Sequence, residues 1–176
     1  FIYDGSYKKG IATCNNCSKS VVVASNLKGS NSLKLFALEY IKDGERCYKE
    51  ADDYDVSLYE KAKNDLLNLS SKLSLIPEDE IPSNKSGDSR PQNHGYLYRD
   101  LFSARQLISI SVLLDNIMKI EEDDIREWFL LAFSDCLASN NMLCCYAYDY
   151  KKLTPLFGIH SYTVPSRAVE NNVMGT

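Results

Sequence analysis

The chain has 176 residues, 44% hydrophobic and 25% charged, which is enough apolar material for a buried core and too little charge for a disordered polyelectrolyte. Its net charge of −4 lacks the basic surplus with which a self-sufficient nucleic-acid binder neutralises phosphate. Any DNA contact is therefore expected to be local, or shared with sequence outside the chain. No run approaches the about 18 apolar residues of a membrane span.

Residues 1–25 are expected to form short β structure around a turn made by Cys14-Asn15-Asn16-Cys17, with Val21, Val22 and Val23 strongly β-prone. A polar, glycine-containing loop follows. Leu33, Leu35 and Ala37 then alternate with Lys34, Phe36 and Leu38 up to Tyr40, a strand pattern. Asp43-Gly44 is the signal of a tight hairpin, with Arg46 to Lys49 returning as the partner strand.

A helix is predicted next, opened by a Ser57-x-x-Glu60 capping box, with Leu58, Ala62, Leu66, Leu69 and Leu73 as its apolar stripe. Residues 77–95, with Pro77, Pro82, Pro91, Gly87 and Gly95, break any period and are taken as a loop. Ser103 starts a second helix running to about Ile120. Its stripe is Leu107, Ile110, Leu114 and Ile117, thickened by Ile108, Val112 and Met118. A third begins near Asp124, with Asp124-x-x-Glu127 as its cap. Its run Ile125, Trp128, Phe129, Ala132, Phe133, Cys136 and Leu137 is apolar around most of the circumference, so it is placed at the centre of the core. Asn140-Asn141 ends it, because asparagine tolerates the left-handed cap position. Short strands and loops are expected over residues 142–176.

The fold class expected is therefore α+β: small β ribbon and hairpins at the N-terminus, then a mainly helical C-terminal part. In domain terms this gives a ribbon-like β segment over 1–52, an amphipathic helix over 53–76, a linker over 77–95, and a helical part with short strands over 96–176.

Six cysteines invite a disulfide reading, but a chain of this size and apolar content needs no staples. A reducing, cytoplasmic setting is expected. The start at Phe1, without an initiator methionine or signal sequence, suggests an excised segment.

Three groups of residues are candidates for chemistry. Cys14-x-x-Cys17 supplies two thiolates in a knuckle that suits tetrahedral zinc, though a full site needs two such pairs. The same pair is open to a redox reading, or to two ordinary cysteines. Cys47 is the nearest further ligand, and His94 and His160 are distant in sequence. Arg105-Gln106, at a helix start, carries the two side chains that read guanine and adenine edges. The plainer reading pairs Arg105 with a carboxylate. In the tail, beside Arg167, Glu170, Asn171 and Asn172, Lys151 and Lys152 are candidate phosphate contacts, the plainer reading being two solvated lysines. There is no glycine-rich phosphate loop, no nucleophile elbow, and only two histidines for acid–base work.

Three blocks carry a resemblance. They are Gly10-Ile11-Ala12-Thr13-Cys14-Asn15-Asn16-Cys17 with the strand Leu35 to Tyr40; Gly95-Tyr96-Leu97-Tyr98-Arg99-Asp100-Leu101-Phe102-Ser103-Ala104-Arg105-Gln106-Leu107 running on to Leu114; and Leu130-Leu131-Ala132-Phe133-Ser134 through Met142, closing with Val169-Glu170-Asn171-Asn172-Val173-Met174-Gly175-Thr176. In this order the chain resembles the central region of the large adenine-specific DNA methylases that contain a zinc ribbon. The resemblance implies a parent enzyme using S-adenosylmethionine. The donor site and the first cysteine pair would lie upstream, and the catalytic Asp-Pro-Pro-Tyr motif downstream.

The resemblance further implies DNA as the partner, reached through the full-length enzyme and its remaining methyltransferase domains, with zinc at Cys14 and Cys17. The segment would help to recognise or position DNA through Arg105, Gln106, Lys151, Arg167 and Asn171. The alternative is a structural or partner-docking segment that completes the core without touching DNA.

Overall fold

The computed structural model describes residues 5–26, 33–70, 75–83, 90–156, 158, 162, 164–165 and 168–174. Three short strands open the chain: β1 (Gly5–Lys8), β2 (Ile11–Cys14) and β3 (Ser20–Val22), paired antiparallel in that order. Lys9 and Gly10 both take positive φ, 51° and 79°, the two-residue turn whose twist matches flanking strands. The cysteine knuckle closes the next turn, with Ser18 N–H donating to the Cys14 carbonyl at 2.9 Å and Cys14 N–H to the Lys19 carbonyl at 3.0 Å. Val23 leaves the sheet. It begins a single helical turn, α1 (Val23–Asn26), which buries Val23 and Ala24.

The second hairpin is β4 (Ala37–Lys42) with β5 (Glu45–Glu50), turning at Asp43 and Gly44 with φ of 53° and 80°. The strand starts later than the alternation from Leu33 implied. Its partner strand ends at Glu50, opposite Ala37, and beyond it the Phe36 carbonyl accepts from Ala51 N–H at 2.9 Å without extending the strand.

Helix α2 (Asp53–Ser70) starts four residues before Ser57. The reciprocal cap is made by Asp52 and Asp55: Asp55 N–H donates to Asp52 Oδ1 at 3.0 Å and Asp52 N–H to Asp55 Oδ2 at 3.1 Å. Ser57 lies inside the helix and donates to the Tyr54 carbonyl. Lys49 anchors the cap with ion pairs to both aspartates. The inward row is Asp55, Tyr59, Ala62, Leu66 and Leu69. Leu58, assigned to the stripe, is exposed, and Leu73 lies outside the described residues.

The described flanks of the 77–95 stretch are tied down. Ile81 is buried, its N–H donating to the Tyr96 carbonyl, and Tyr98 N–H donates to the Asp79 carbonyl. Helix α3 (Ala104–Ile117) follows. Its buried row includes Leu107, Ile110 and Ile117, whereas Val112 and Met118, expected to thicken the stripe, are exposed.

Helix α4 (Asp123–Ser139) departs most from expectation. None of its residues is buried, although its composition placed it at the centre of the core. It packs on α3, and its remaining face is open. Glu122 flanks its start without a side-chain cap, so the expected Asp124–Glu127 cap is absent. Its end is closed by amides rather than by left-handed backbone, since Asn140 has φ −121°. Asn140 Nδ2 donates to the Cys136 carbonyl at 2.9 Å, and Asn141 Nδ2 to those of Leu137 and Ala138 at 2.8 and 3.1 Å.

A last hairpin pairs β6 (Cys145–Ala147) with β7 (Lys152–Thr154). The main core joins the N-terminal sheet to the middle and end of the chain, through Ala12, Val23, Ala24, Ile81, Tyr96, Leu101, Leu143 and Val164. Two tyrosine hydroxyls lock it: Tyr96 donates to the Ala24 carbonyl at 2.7 Å and Tyr7 to the Val164 carbonyl at 2.8 Å. The protein is α+β. Among the described residues no helix is long and apolar enough to cross a membrane.

Candidate functional site

Arg105 and Gln106 begin at the N-cap of α3. Ser103 has extended backbone and is fully buried, so its own N–H and the first N–H groups of the helix need partners inside the protein. Gln106 supplies them. Its Oε1 accepts from Ser103 N–H at 3.0 Å while its own N–H donates to Ser103 Oγ at 3.1 Å. The remaining amide donor, Nε2, reaches the Asn171 carbonyl at 3.4 Å. Gln106 is 1% exposed, so it presents no amide edge to a base.

Arg105 sits beside it, on the other side of the cap. Its Nε donates to Glu170 Oε1 at 2.7 Å, and the guanidinium lies 5.1 Å from the centre of the Tyr59 ring. The pairing is partly shielded, with Glu170 at 14% side-chain exposure and Arg105 at 36%. The plainer reading of Arg105 is the one the geometry supports: a cation held between a carboxylate and an aromatic face. One junction therefore gathers α2 (Tyr59), the start of α3 (Ser103, Arg105, Gln106) and the 170–171 segment. Asn171 enters it through its backbone carbonyl.

The remaining tail candidates lie elsewhere. Lys151 is exposed with φ 47°, and its carbonyl accepts from the Arg46 guanidinium. Lys152 lies over the Tyr150 ring at 5.4 Å. Arg167 and His160 lie outside the described residues. A side-chain cluster that sequence reasoning missed surrounds Arg46. The guanidinium pairs with Glu39 at 3.2 Å, Tyr146 Oη donates to Glu39 at 2.7 Å, and the Tyr48 and Tyr146 hydroxyls are 3.0 Å apart. These bonds to Tyr48 and Glu39 push the Tyr146 hydroxyl up to about 12. The cluster clasps hairpin β4–β5 to β6–β7. No local sequence signal marks it, because residues 39 and 146 meet only in the fold.

Cys14 and Cys17 lie at the β2–β3 turn, Cys17 exposed and Cys14 half-buried. The backbone N–H groups of Cys17 and Asn16 bond the Cys14 sulfur, as does the Cys17 side chain, and they hold the thiol below its ordinary range. This favours thiolate, the form in which sulfur binds metal. Among the described residues no group of three or more Cys, His, Asp or Glu could hold a metal ion. Cys47 belongs to the separate β4–β5 hairpin. The knuckle thus offers two of the four ligands that tetrahedral zinc takes in a structural site.

No family model, curated protein or solved structure matches the chain.

Proposed function

We propose that this chain is a structural segment of an S-adenosylmethionine-dependent methyltransferase acting on adenine in DNA, completing its core without direct DNA contact from Arg105 or Gln106. The observation that carries the structural role is the junction at the start of α3. Arg105 is engaged by Glu170, and Gln106 is spent on Ser103 and Asn171. These five residues belong to two of the blocks on which the methylase resemblance rests. Their ordered spacing in sequence thus has a physical reason: they are the two halves of one lock.

The acidic balance of the chain agrees with a role away from phosphate. Methyl-donor binding and base chemistry belong to other parts of the enzyme in this reading. Zinc, held in part by Cys14 and Cys17, would staple the ribbon once a second ligand pair is supplied, and has no part in the chemistry.

The test is transfer of labelled methyl groups from S-adenosylmethionine to adenine in duplex DNA by the whole enzyme. Activity is expected, and Glu170→Ala is expected to lower it only in proportion to the folded fraction. A folded enzyme that transfers no methyl group to DNA removes the methyltransferase assignment. Loss of DNA affinity in the folded Arg105→Ala protein removes the structural one.

A further inference from the structure

Helix α4 carries two distinct faces. Arg126, Leu130, Phe133 and Leu137 recur at spacings of four, three and four and are half-buried. On the opposite side Asp124, Trp128, Leu131 and Asp135 recur at the same spacings and are all exposed. Trp128 is 73% exposed and Leu131 63%, with Ile125 and Phe129 exposed on the shoulder. The outward ridge is therefore two large apolar side chains bracketed by a carboxylate at each end. Glu121, Glu122, Asp123 and Glu127 add negative charge around the first turn. The helix has one basic residue, Arg126, and its guanidinium pairs with Asp123.

This pattern decides between occupants. A second copy is disfavoured by symmetry. Antiparallel pairing of the ridge centres between Trp128 and Leu131 and sets Asp124 against Asp135, while parallel pairing sets each aspartate against itself. Either arrangement presses like charges together. A membrane surface is disfavoured because interfacial helices carry lysine and arginine beside the apolar face. DNA is disfavoured by the same carboxylates.

We propose that α4 is a docking ridge for a cationic amphipathic helix of a partner protein or domain, with an apolar stripe seated on Trp128 and Leu131 and basic residues meeting Asp124 and Asp135. Apolar anchors at the centre of such a contact supply affinity, and the charges set selection and register. The inference does not depend on the methyltransferase reading, since it rests on α4 alone.

Trp128 is the only tryptophan of the chain, so its emission reports directly on this face. The probe is an 18-residue helix-forming peptide of leucine and lysine, with leucines at spacings of three and four and lysines on both shoulders. A scrambled peptide of the same composition serves as the control. A saturable blue shift of Trp128 emission is expected with the striped peptide. Affinity is expected to fall about tenfold or more for the scrambled peptide and for Asp124→Lys/Asp135→Lys. Leu131→Asp, at an exposed position, is expected to abolish the shift while leaving the circular dichroism of the chain unchanged. No shift, equal affinity for the scrambled peptide, or indifference to the charge reversals would overturn the proposal. So would a concentration-dependent blue shift of the chain alone with doubling of its sedimenting mass, which assigns the ridge to a second copy.

Discussion

Gln106 shows how residue type and residue environment part company. Its amide is the group that can pair with adenine, and from sequence it stands next to an arginine at a helix start, where base contacts are common. The same local sequence, Ser103-x-x-Gln106, is also a capping box, and burial of Ser103 makes the cap necessary. The capping signal was legible in the sequence, but the burial that decides between the two uses was not. The distant segment that Gln106 meets, at the Asn171 carbonyl, lies 65 residues on in the chain.

Cys14 was legible in a different way. Its tight turn follows from Cys14-Asn15-Asn16-Cys17, and the turn aims backbone N–H groups at the sulfur. Those donors favour the thiolate, so the Cys14 thiol ionises at lower pH than an ordinary cysteine. Burial moves the Cys144 thiol the other way. Iodoacetamide, which reacts with thiolate, should therefore modify Cys14 ahead of Cys144 in the native protein, with the difference greatest below the ordinary thiol range. Mass mapping after brief alkylation across a pH series measures the order. Equal labelling of the two would show that the turn does not activate Cys14.

At the scale of elements, local chemistry located the turns at Cys14–Cys17 and Asp43–Gly44, but not the Lys9–Gly10 turn or the β6–β7 hairpin, and left the helix environments open. Asp43-Gly44 fixed the β4–β5 turn because positive φ at both central residues is demanded by strand twist. Ser103 marked the start of α3 through its own side chain. Helix α2 began earlier than Ser57 because a second capping pair, Asp52 and Asp55, lay five residues upstream of Ser57 and Glu60 and gained Lys49 as a partner. Helix α4 was misplaced because apolar content around a helix signals burial only if enough of the surrounding chain is available to cover it. Here α3 covers one side only. The cap of α3 gives an element-scale prediction. Gln106→Ala removes the acceptor for Ser103 N–H and leaves that donor buried, which should lower unfolding free energy by about 2 kcal/mol. Urea denaturation checks it, with helix loss expected and no change in DNA affinity per folded molecule. An unchanged midpoint would show that the cap contributes nothing.

The whole molecule is assembled by contacts between distant segments. The N-terminal sheet reaches the end of the chain through Tyr7 and Val164, and α1 reaches the middle through Tyr96 and Ala24. Burial pushes the Tyr96 hydroxyl up to about 12, as expected of a phenol enclosed in the core. The junction of Arg105, Gln106, Glu170 and Asn171 belongs to the same class, and it bears on function because it engages three residues that were candidates for contacting DNA. The separate blocks were visible in sequence, and their meeting was not, since 65 residues separate Arg105 from Glu170.

A double-mutant cycle on Arg105→Ala and Glu170→Ala, read by both unfolding and DNA binding at one fixed salt concentration, tests the structural role most directly. A lock predicts that each change destabilises the fold by about 1–2 kcal/mol, that the pair is less than additive, and that DNA affinity of the folded fraction is the same in all four proteins. A DNA-contacting Arg105 predicts the opposite pattern. Arg105→Ala then weakens DNA binding at unchanged stability, and Glu170→Ala, which frees the guanidinium and removes a negative charge, strengthens it.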